Sequence, residues 1–175
     1  MAIVAADIQY RFSVAAATGD SSAGTAAGSL GDQVSTTQLT DATLNNLFDD
    51  VSGSESAAGD VEYRCIFVLN NHGSLTLQNA TVAVQSQTTG GGSIDIATDN
   101  IAVSAKGSGS AQAAVIANES ATPSGVSAFG AGPLALGDIG PGQVKGVWVR
   151  RTVTAGASAL NPDGAILRVT GDTLP

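Results

Sequence analysis

The sequence is poor in the residues that build covalent frameworks, metal sites and aromatic binding platforms. Its 175 residues include one cysteine and one histidine, and aromatic residues make up 4%. A single cysteine excludes an intrachain disulfide. Cys65 lies within a strand pattern, where we expect it to be buried as a small apolar side chain. His72 lies in a predicted turn and has no cysteine, histidine or carboxylate at ligand spacing, so we predict no metal site and no cofactor.

The sequence is also poor in positive charge. Seven lysines and arginines stand against 15 aspartates and glutamates, which gives a net charge of −8. Because non-specific nucleic-acid binding depends on basic side chains that neutralise phosphates, we expect no nucleic-acid partner. The imbalance is local: residues 1–62 carry nine acids and one base, Arg11, whereas residues 63–175 carry six of each. The first third is therefore an acidic segment joined to a neutral remainder.

Long apolar runs are missing. No stretch approaches the roughly 20 residues that a bilayer-spanning helix needs, and the first residues lack the basic region of a secretory signal. We therefore expect synthesis in a cytoplasm and no membrane partner.

Catalytic constellations are missing as well. Serine, threonine and aspartate are abundant, but a nucleophile and base could be assembled only around His72. Asp49 and Asp50 are adjacent in the sequence, whereas paired catalytic carboxylates converge from opposite sides of a substrate. We predict that the protein is not an enzyme.

What the sequence does contain is a series of short stretches in which apolar and polar residues alternate. This period is typical of half-buried β-strands. Trp148 lies in one of them and is expected to be a core or interface anchor, and its strand should lie beside, or face, the stretch 60–70. A slip in the apolar phase near Gln78 and Asn79 predicts a bulge. We predict strands at 8–14, 60–70, 75–84, 94–96, 100–104, 113–117, 143–153 and 165–170, and a long surface loop at 118–132.

The densest strand pattern, at 60–70, carries apolar residues on both of its faces, so both faces need to be covered. One face, from Val61 to Leu69, is wholly apolar and is predicted to be core. The opposite face begins with charged residues but continues with Ile66 and Val68. Something must pack over this second half, either the N-terminal third of the chain or a neighbouring subunit. Ile66 and Val68 are therefore candidate interface residues.

The N-terminal acidic segment is predicted to be irregular. Residues 15–59 should form a loop or arm-like insertion after the first strand. Within them, the apolar spacing of Leu44, Leu47, Phe48 and Val51 predicts at most one short helix or helical turn in Thr40–Val51, and residues 52–59 return to loop. The acids of this stretch lack the alternating ligands and central glycine of a calcium loop, which argues against a metal there. Together the patterns predict a single all-β domain, residues 1–175, built as an antiparallel β-sandwich.

Four segments carry a resemblance to a known group of proteins. They are Glu62–Asn71, Leu75–Val84, Gly142–Val153 and Pro162–Gly164. In this order they resemble structural proteins of tailed-bacteriophage virions, and they are also similar to Ig-like adhesion modules. The resemblance covers residues 60–170, and residues 15–59 fall outside it. It implies an Ig-like β-sandwich.

The resemblance further implies a decoration or cement protein that binds the outside of a phage capsid. Its partners would be the major capsid protein and further copies of itself, in a homo-oligomer such as a trimer, and its location would be the virion surface. Asp49 and Asp50 are the acidic candidates for contacts with a subunit or the shell, and Arg150 and Arg151 are the basic candidates.

Two other functions stay open. The protein could belong to the tail, neck or fibre of the same virion, where Ig-like modules also occur. It could instead be a carbohydrate-binding or adhesion module, which usually needs exposed aromatic side chains. Trp148 would be the first residue to test for that role.

Overall fold

The computed structural model describes residues 2–15, 22–158 and 160–173, and most of its regular structure is β-strand. A short 3-10 turn precedes the first strand, and one α-helix follows the second. The elements are the turn Ala5–Asp7, β1 Ile8–Val14, β2 Gly31–Gln38, α1 Gly53–Ala58, β3 Asp60–Asn70, β4 Leu77–Gln87, β5 Ser93–Thr98, β6 Ser104–Ala105, β7 Ala113–Val115, β8 Leu134–Ile139, β9 Gln143–Val153 and β10 Ala165–Asp172.

The strands form two antiparallel sheets that pack face to face. The larger sheet has the order β5-β9-β3-β1-β2-β7, with β6 also paired to β9, and the smaller sheet has the order β10-β4-β8. The predicted all-β sandwich is confirmed. The predicted neighbourhood of β3 and β9 is confirmed too, since the two strands pair along ten residues from Asp60 to Leu69. The bulge predicted near Asn79 is present: Asn79 has a φ of 49° and the β4–β8 register shifts there.

β3 is buried on both faces, and the structure shows what packs over Ile66 and Val68. Ile66 and Val68 lie in the core between the sheets, where they pack with residues of the smaller sheet such as Leu136. The N-terminal third adds side chains such as Phe12 and Leu47 to the same core. The main cover is thus the domain's own smaller sheet. The sequence had led us to expect either the N-terminal third or a neighbouring subunit. Ile66 and Val68 are not exposed to a neighbouring subunit.

The other face of the larger sheet is covered by the long connection between β5 and β8. Tyr63, Cys65, Phe67 and Leu69 of β3 join Trp148 in a second apolar cluster. Cys65 and Trp148 are fully buried, as predicted. The covering residues come chiefly from the connection and include Ala113, Ile116, Val126 and Phe129.

Two details of the strand predictions are wrong. Val61, expected in the core, is exposed at the end of β3. In place of the predicted strand 100–104 there is the two-residue strand β6, Ser104–Ala105. The predicted loop at 118–132, which lies wholly within the described residues, contains no strand, but it is tied to the larger sheet, because Glu119 accepts the Tyr63 amide with its carbonyl oxygen and Gly130 forms a bridge with Ile96.

The predicted loop at 15–59 also contains a strand. β2 has a single large apolar residue, Val34, so its sequence shows no alternation. It is held as a strand by pairing with β1 on one side and β7 on the other. The Gln112 side chain adds a hydrogen bond by accepting the Val34 amide at 3.1 Å.

The predicted helix lies in the wrong place. Within Thr40–Val51 the backbone turns, and Ala42 and Asn45 have φ values of 53° and 57°. The α-helix comes later, at Gly53–Ala58, where the loop was expected. Its start is a capping box, in which the Ser52 hydroxyl accepts the Glu55 amide and the Glu55 carboxylate accepts the Ser52 amide.

Candidate interaction surface

Residues 40–52, which we call the acidic loop, connect β2 to α1 and lie at one end of the core between the sheets. Leu47 and Phe48 point inward and pack against this core. The Asn46 side chain donates to the Thr40 carbonyl oxygen at 2.9 Å and closes the loop on itself. The loop therefore has an inner side that anchors it and an outer side that faces solvent.

A buried ion pair lies directly beneath the acidic loop. The register of β3 and β9 places Glu62 opposite Arg151, and both residues are nearly inaccessible, with 2% and 7% exposure. Arg151 Nε donates to Glu62 Oε2 at 2.5 Å. The same guanidinium donates to the carbonyl oxygen of Asp49 at 2.5 Å and to its Oδ1 at 3.2 Å. Arg151 thus ties the loop to the sheet.

Phe48 completes this network by lying between two cations. Its ring centroid is 4.9 Å from Cζ of Arg151 and 5.6 Å from Cζ of Arg64. Both distances are in the range of favourable cation–π contacts. Arg64 is buried as well and pairs with Glu119 from the long connection. The network therefore joins β3, β9, the acidic loop and the long connection.

The buried charges of this network are stable only while each keeps its oppositely charged partner. Burial raises the pKa of the Glu62 carboxyl, and the adjacent Arg151 guanidinium opposes this rise. A buried charge without its partner is costly, because the protein interior solvates it poorly. We infer that Glu62 and Arg151 fix the position of the loop rather than act on a ligand.

The outer side of the acidic loop presents acids around one apolar side chain. Asp41, Asp49 and Asp50 are exposed. Leu44 lies among them and is 70% exposed. It was assigned to the buried face of the predicted helix, so its exposure is a correction. A loop that exposes a leucine and several carboxylates is suited to a partner surface with an apolar recess and basic surroundings.

Many of the basic side chains, by contrast, are engaged within the domain. Arg150 donates to Asp95 Oδ2 at 2.6 Å and lies 4.9 Å from the Phe129 centroid. Lys145 donates to the carbonyl oxygens of Asp99 and Ile101 at 2.6 and 2.7 Å. The charges of Arg150 and Lys145 are therefore directed to groups of the domain itself.

The six candidate interface residues therefore separate into three groups. Ile66 and Val68 are core residues of the folded domain. Arg150 and Arg151 are held by their own carboxylate partners. Asp49 and Asp50 remain exposed, and Asp49 also contacts Arg151.

Sequence reasoning missed Glu62 and Arg64 as network residues. Charged side chains are ordinarily read as solvent-exposed. A signal was present, because both share a strand face with Ile66 and Val68. That face is continuous with the core, so charges on it were candidates for burial in pairs.

A second polar cluster supports the opposite face of the larger sheet. Asp99, which is buried, accepts the Trp148 indole Nε1–H at 3.0 Å and the amides of Ala114 and Ile101 at 2.7 and 2.8 Å. Burial lowers the pKa of Lys145, while Asp99 opposes this change. These contacts hold the long connection against β9.

The aromatic side chains show little of the exposure on which a sugar-binding platform depends. All seven lie in the described part of the chain, and each is buried or half-buried. Trp148, the residue chosen to test the carbohydrate hypothesis, is fully enclosed. Stacking on a sugar ring needs an accessible aromatic face.

The surface of the described structure carries two shallow depressions. One, of about 160 Å³, is lined by residues that include Arg11, Ser35 and Lys106. The other, of about 380 Å³, lies beside His72 and Asp7. His72 Nδ1 accepts the amides of Ser74 and Leu75 at 3.1 and 2.9 Å, so this histidine stabilises its turn.

Across residues 2–15, 22–158 and 160–173, no group of three or more histidines, cysteines and carboxylates is placed to hold a metal ion. Over the same ranges, no helix has the length and apolarity to cross a membrane.

Comparison with known proteins gives no relative. The chain matches no protein-family model, and neither the curated proteins nor the solved structures contain a significant match.

Proposed function

We propose that the protein is a non-enzymatic structural component of a tailed-bacteriophage virion that binds the outside of the capsid as a decoration or cement protein. The proposal rests on the resemblance of residues 60–170. In the fold, the segments that carry it supply β3 and β9 of the larger sheet, most of β4 in the smaller one, and the turn before β10. The resemblance thus involves strands of both sheets.

The observation that favours attachment to a shell is the anchored acidic loop. Its inner side is fixed by Arg151, Glu62 and Phe48, while Leu44 and the acids face outward. A loop held in one conformation loses little conformational entropy when it binds. Many equivalent weak contacts on a symmetric shell would then add up to stable attachment. The major capsid protein is the proposed partner, through a basic surface that surrounds an apolar recess.

The test is to mix the purified protein with undecorated phage heads and to measure co-sedimentation. We expect saturable binding that weakens as salt rises, because exposed charge pairs are screened. Leu44→Ser should weaken binding at least tenfold. Val115→Ser is the matched control, since Val115 is also an exposed apolar residue, at 60%, and lies on β7 of the larger sheet. Absence of binding by the unmodified protein would end the cement hypothesis.

The number of copies per particle separates the head from the alternative location in the tail, neck or fibre. A copy number comparable to that of the major capsid protein supports decoration. A small number that matches the symmetry of the tail would move the protein there.

A further inference from the structure

β10 forms an open edge of the smaller sheet. It pairs with β4 on one side, and no described residue pairs with its other side. Six of its eight residues are exposed. Natural edge strands are usually shortened, covered, bent away by bulges, or protected by proline and by charged residues, lysine above all. β10 contains neither lysine nor proline, and its two charged residues are of opposite sign.

The backbone of β10 directs hydrogen-bonding groups to this open edge. The Val84 amide donates to the Ala131 carbonyl oxygen, away from β10, and Val84 is the register partner of Leu167. In an antiparallel ladder, residues at such a position turn their amides and carbonyls away from each other. The backbone amide and carbonyl of Leu167 therefore point to the open edge. Because these directions alternate along a strand, the backbone groups of Val169 and Gly171 point there as well.

The charges of β10 are self-complementary. Arg168 and Asp172 are its only charged residues, and they lie four apart on the same outer face. If two copies pair antiparallel about Thr170, Arg168 of each copy lies opposite Asp172 of the other. The same register places Val169 opposite Gly171, so groups that face the open edge meet each other.

Other registers are less favourable. Centring the pair on Arg168 or on Asp172 would bring like charges together, which is destabilising in a strand pair. Centring it on Val169 would place Arg168 opposite Thr170 and Asp172 opposite Ile166, so neither charge would have an oppositely charged partner.

We propose that the protein forms a symmetric dimer through antiparallel pairing of two β10 strands centred on Thr170. The two smaller sheets then become one continuous six-stranded sheet. Arg168 and Asp172 occupy non-hydrogen-bonded positions of the new ladder, where opposed side chains lie closest. The proposal does not depend on the virion role, because it follows from the edge alone.

Charge reversal tests the register. Sedimentation equilibrium should show a dimer for the unmodified protein, and Arg168→Asp or Asp172→Arg should each weaken it at least tenfold. The double variant with both changes should restore the dimer. An equimolar mixture of the two single variants should form a heterodimer, because every cross-strand pair in it is again of opposite sign. Asp50→Arg, an exposed change of the same kind far from β10 in sequence, should leave the dimer intact.

A cysteine at the two-fold axis tests the contact directly. Opposed Cα atoms at a non-hydrogen-bonded position are about 4.5 Å apart, which is within disulfide range. Thr170→Cys should therefore form a covalent dimer on mild oxidation, and the native thiol should not compete because Cys65 is buried. Ala83→Cys, one strand further from the axis, is the control. A monomer at all concentrations, an oligomer insensitive to charge reversal, or equal cross-linking at both positions would each overturn the proposal.

Discussion

The two sheets of the sandwich differ in how much of each is covered by the rest of the chain. The larger sheet is buried on both faces, against the smaller sheet and beneath the connection between β5 and β8. Its edges are less open as well, since β5 forms a bridge with Gly130 and the other edge strand, β7, has three residues. The smaller sheet is packed on its inner face only, and β10 is open at its edge.

This difference assigns the two properties to different sheets: the larger sheet stabilises the fold, and the smaller sheet is free to associate. Side chains fully enclosed in the larger sheet contribute most of the apolar burial that drives folding. The outer face and open edge of the smaller sheet contribute little to the core and remain free to meet other molecules. The acidic loop combines both properties, with buried anchors on one side and exposed acids on the other. Substitutions in the three regions should therefore differ in size of effect.

The largest expected effect is at Trp148 in the larger sheet. Trp148→Ala removes a fully buried side chain and a donor to Asp99, and should lower the free energy of unfolding by about 3–5 kcal/mol. Ile166→Ala in the smaller sheet should change it by less than about 0.5 kcal/mol. Urea unfolding followed by circular dichroism measures both. Equal losses at the two positions would remove the proposed contrast between the sheets.

The buried ion pair should give the next largest effect. Glu62→Gln leaves the Arg151 guanidinium without its buried counter-charge and should cost about 3 kcal/mol. Replacing both residues by methionine should recover much of this loss, because no unpaired charge remains in the interior. A double variant as unstable as Glu62→Gln would indicate that the pair itself, and not the unpaired charge, dominates the cost.

The strands of the larger sheet could be predicted from the sequence because their apolar residues alternate. In β3, Tyr63 to Leu69 showed one buried face, and in β9 Trp148 was expected in the core; both predictions are confirmed. β2 could not be found in this way, since its ladder is held by backbone pairing and polar side chains around Val34. Strands of that kind become visible only when their neighbours are known.

The candidate surface was harder to predict than the sheets. The apolar spacing of Leu44, Leu47 and Phe48 suggested a helix, but the backbone turns at Ala42 and Asn45 and leaves Leu44 outside. The real helix was signalled by Ser52 and Glu55, the ends of a capping box, rather than by apolar periodicity. Burial of Glu62 depends on the register that places Arg151 opposite it, which the sequence does not contain locally.

A smaller, pH-dependent effect should also come from the larger sheet. Burial raises the pKa of the Tyr10 hydroxyl above its ordinary 10.0 and that of the Cys65 thiol above 9.0. The folded state then holds these protons more tightly than the unfolded state, so stability is complete below pH 9 and falls as pH rises above it. Each group can contribute a slope of up to about 1.4 kcal/mol per pH unit.

Substitutions can show which residues cause this change of unfolding free energy with pH. Tyr10→Phe and Cys65→Ala should each flatten the fall of unfolding free energy between pH 9 and 11. Lys145→Met should steepen it, because burial lowers the pKa of Lys145 from 10.5 and its contribution has the opposite sign. Urea titrations at several pH values give the slopes. An unchanged slope in Tyr10→Phe would mean that the hydroxyl ionises as freely in the folded protein as in the unfolded chain.

The smallest effect is expected on the outer face of the smaller sheet. Thr81 and Thr170 lie opposite each other on β4 and β10, with their hydroxyl oxygens 2.8 Å apart. Water can replace this exposed hydrogen bond, so a double-mutant cycle with Thr81→Ala and Thr170→Ala should give a coupling energy of about 0.5 kcal/mol. The measurement belongs at low protein concentration, where the β10 dimer dissociates. At high concentration Thr170→Ala should also alter dimerisation whereas Thr81→Ala should not, and that asymmetry distinguishes the association edge from the rest of the sheet.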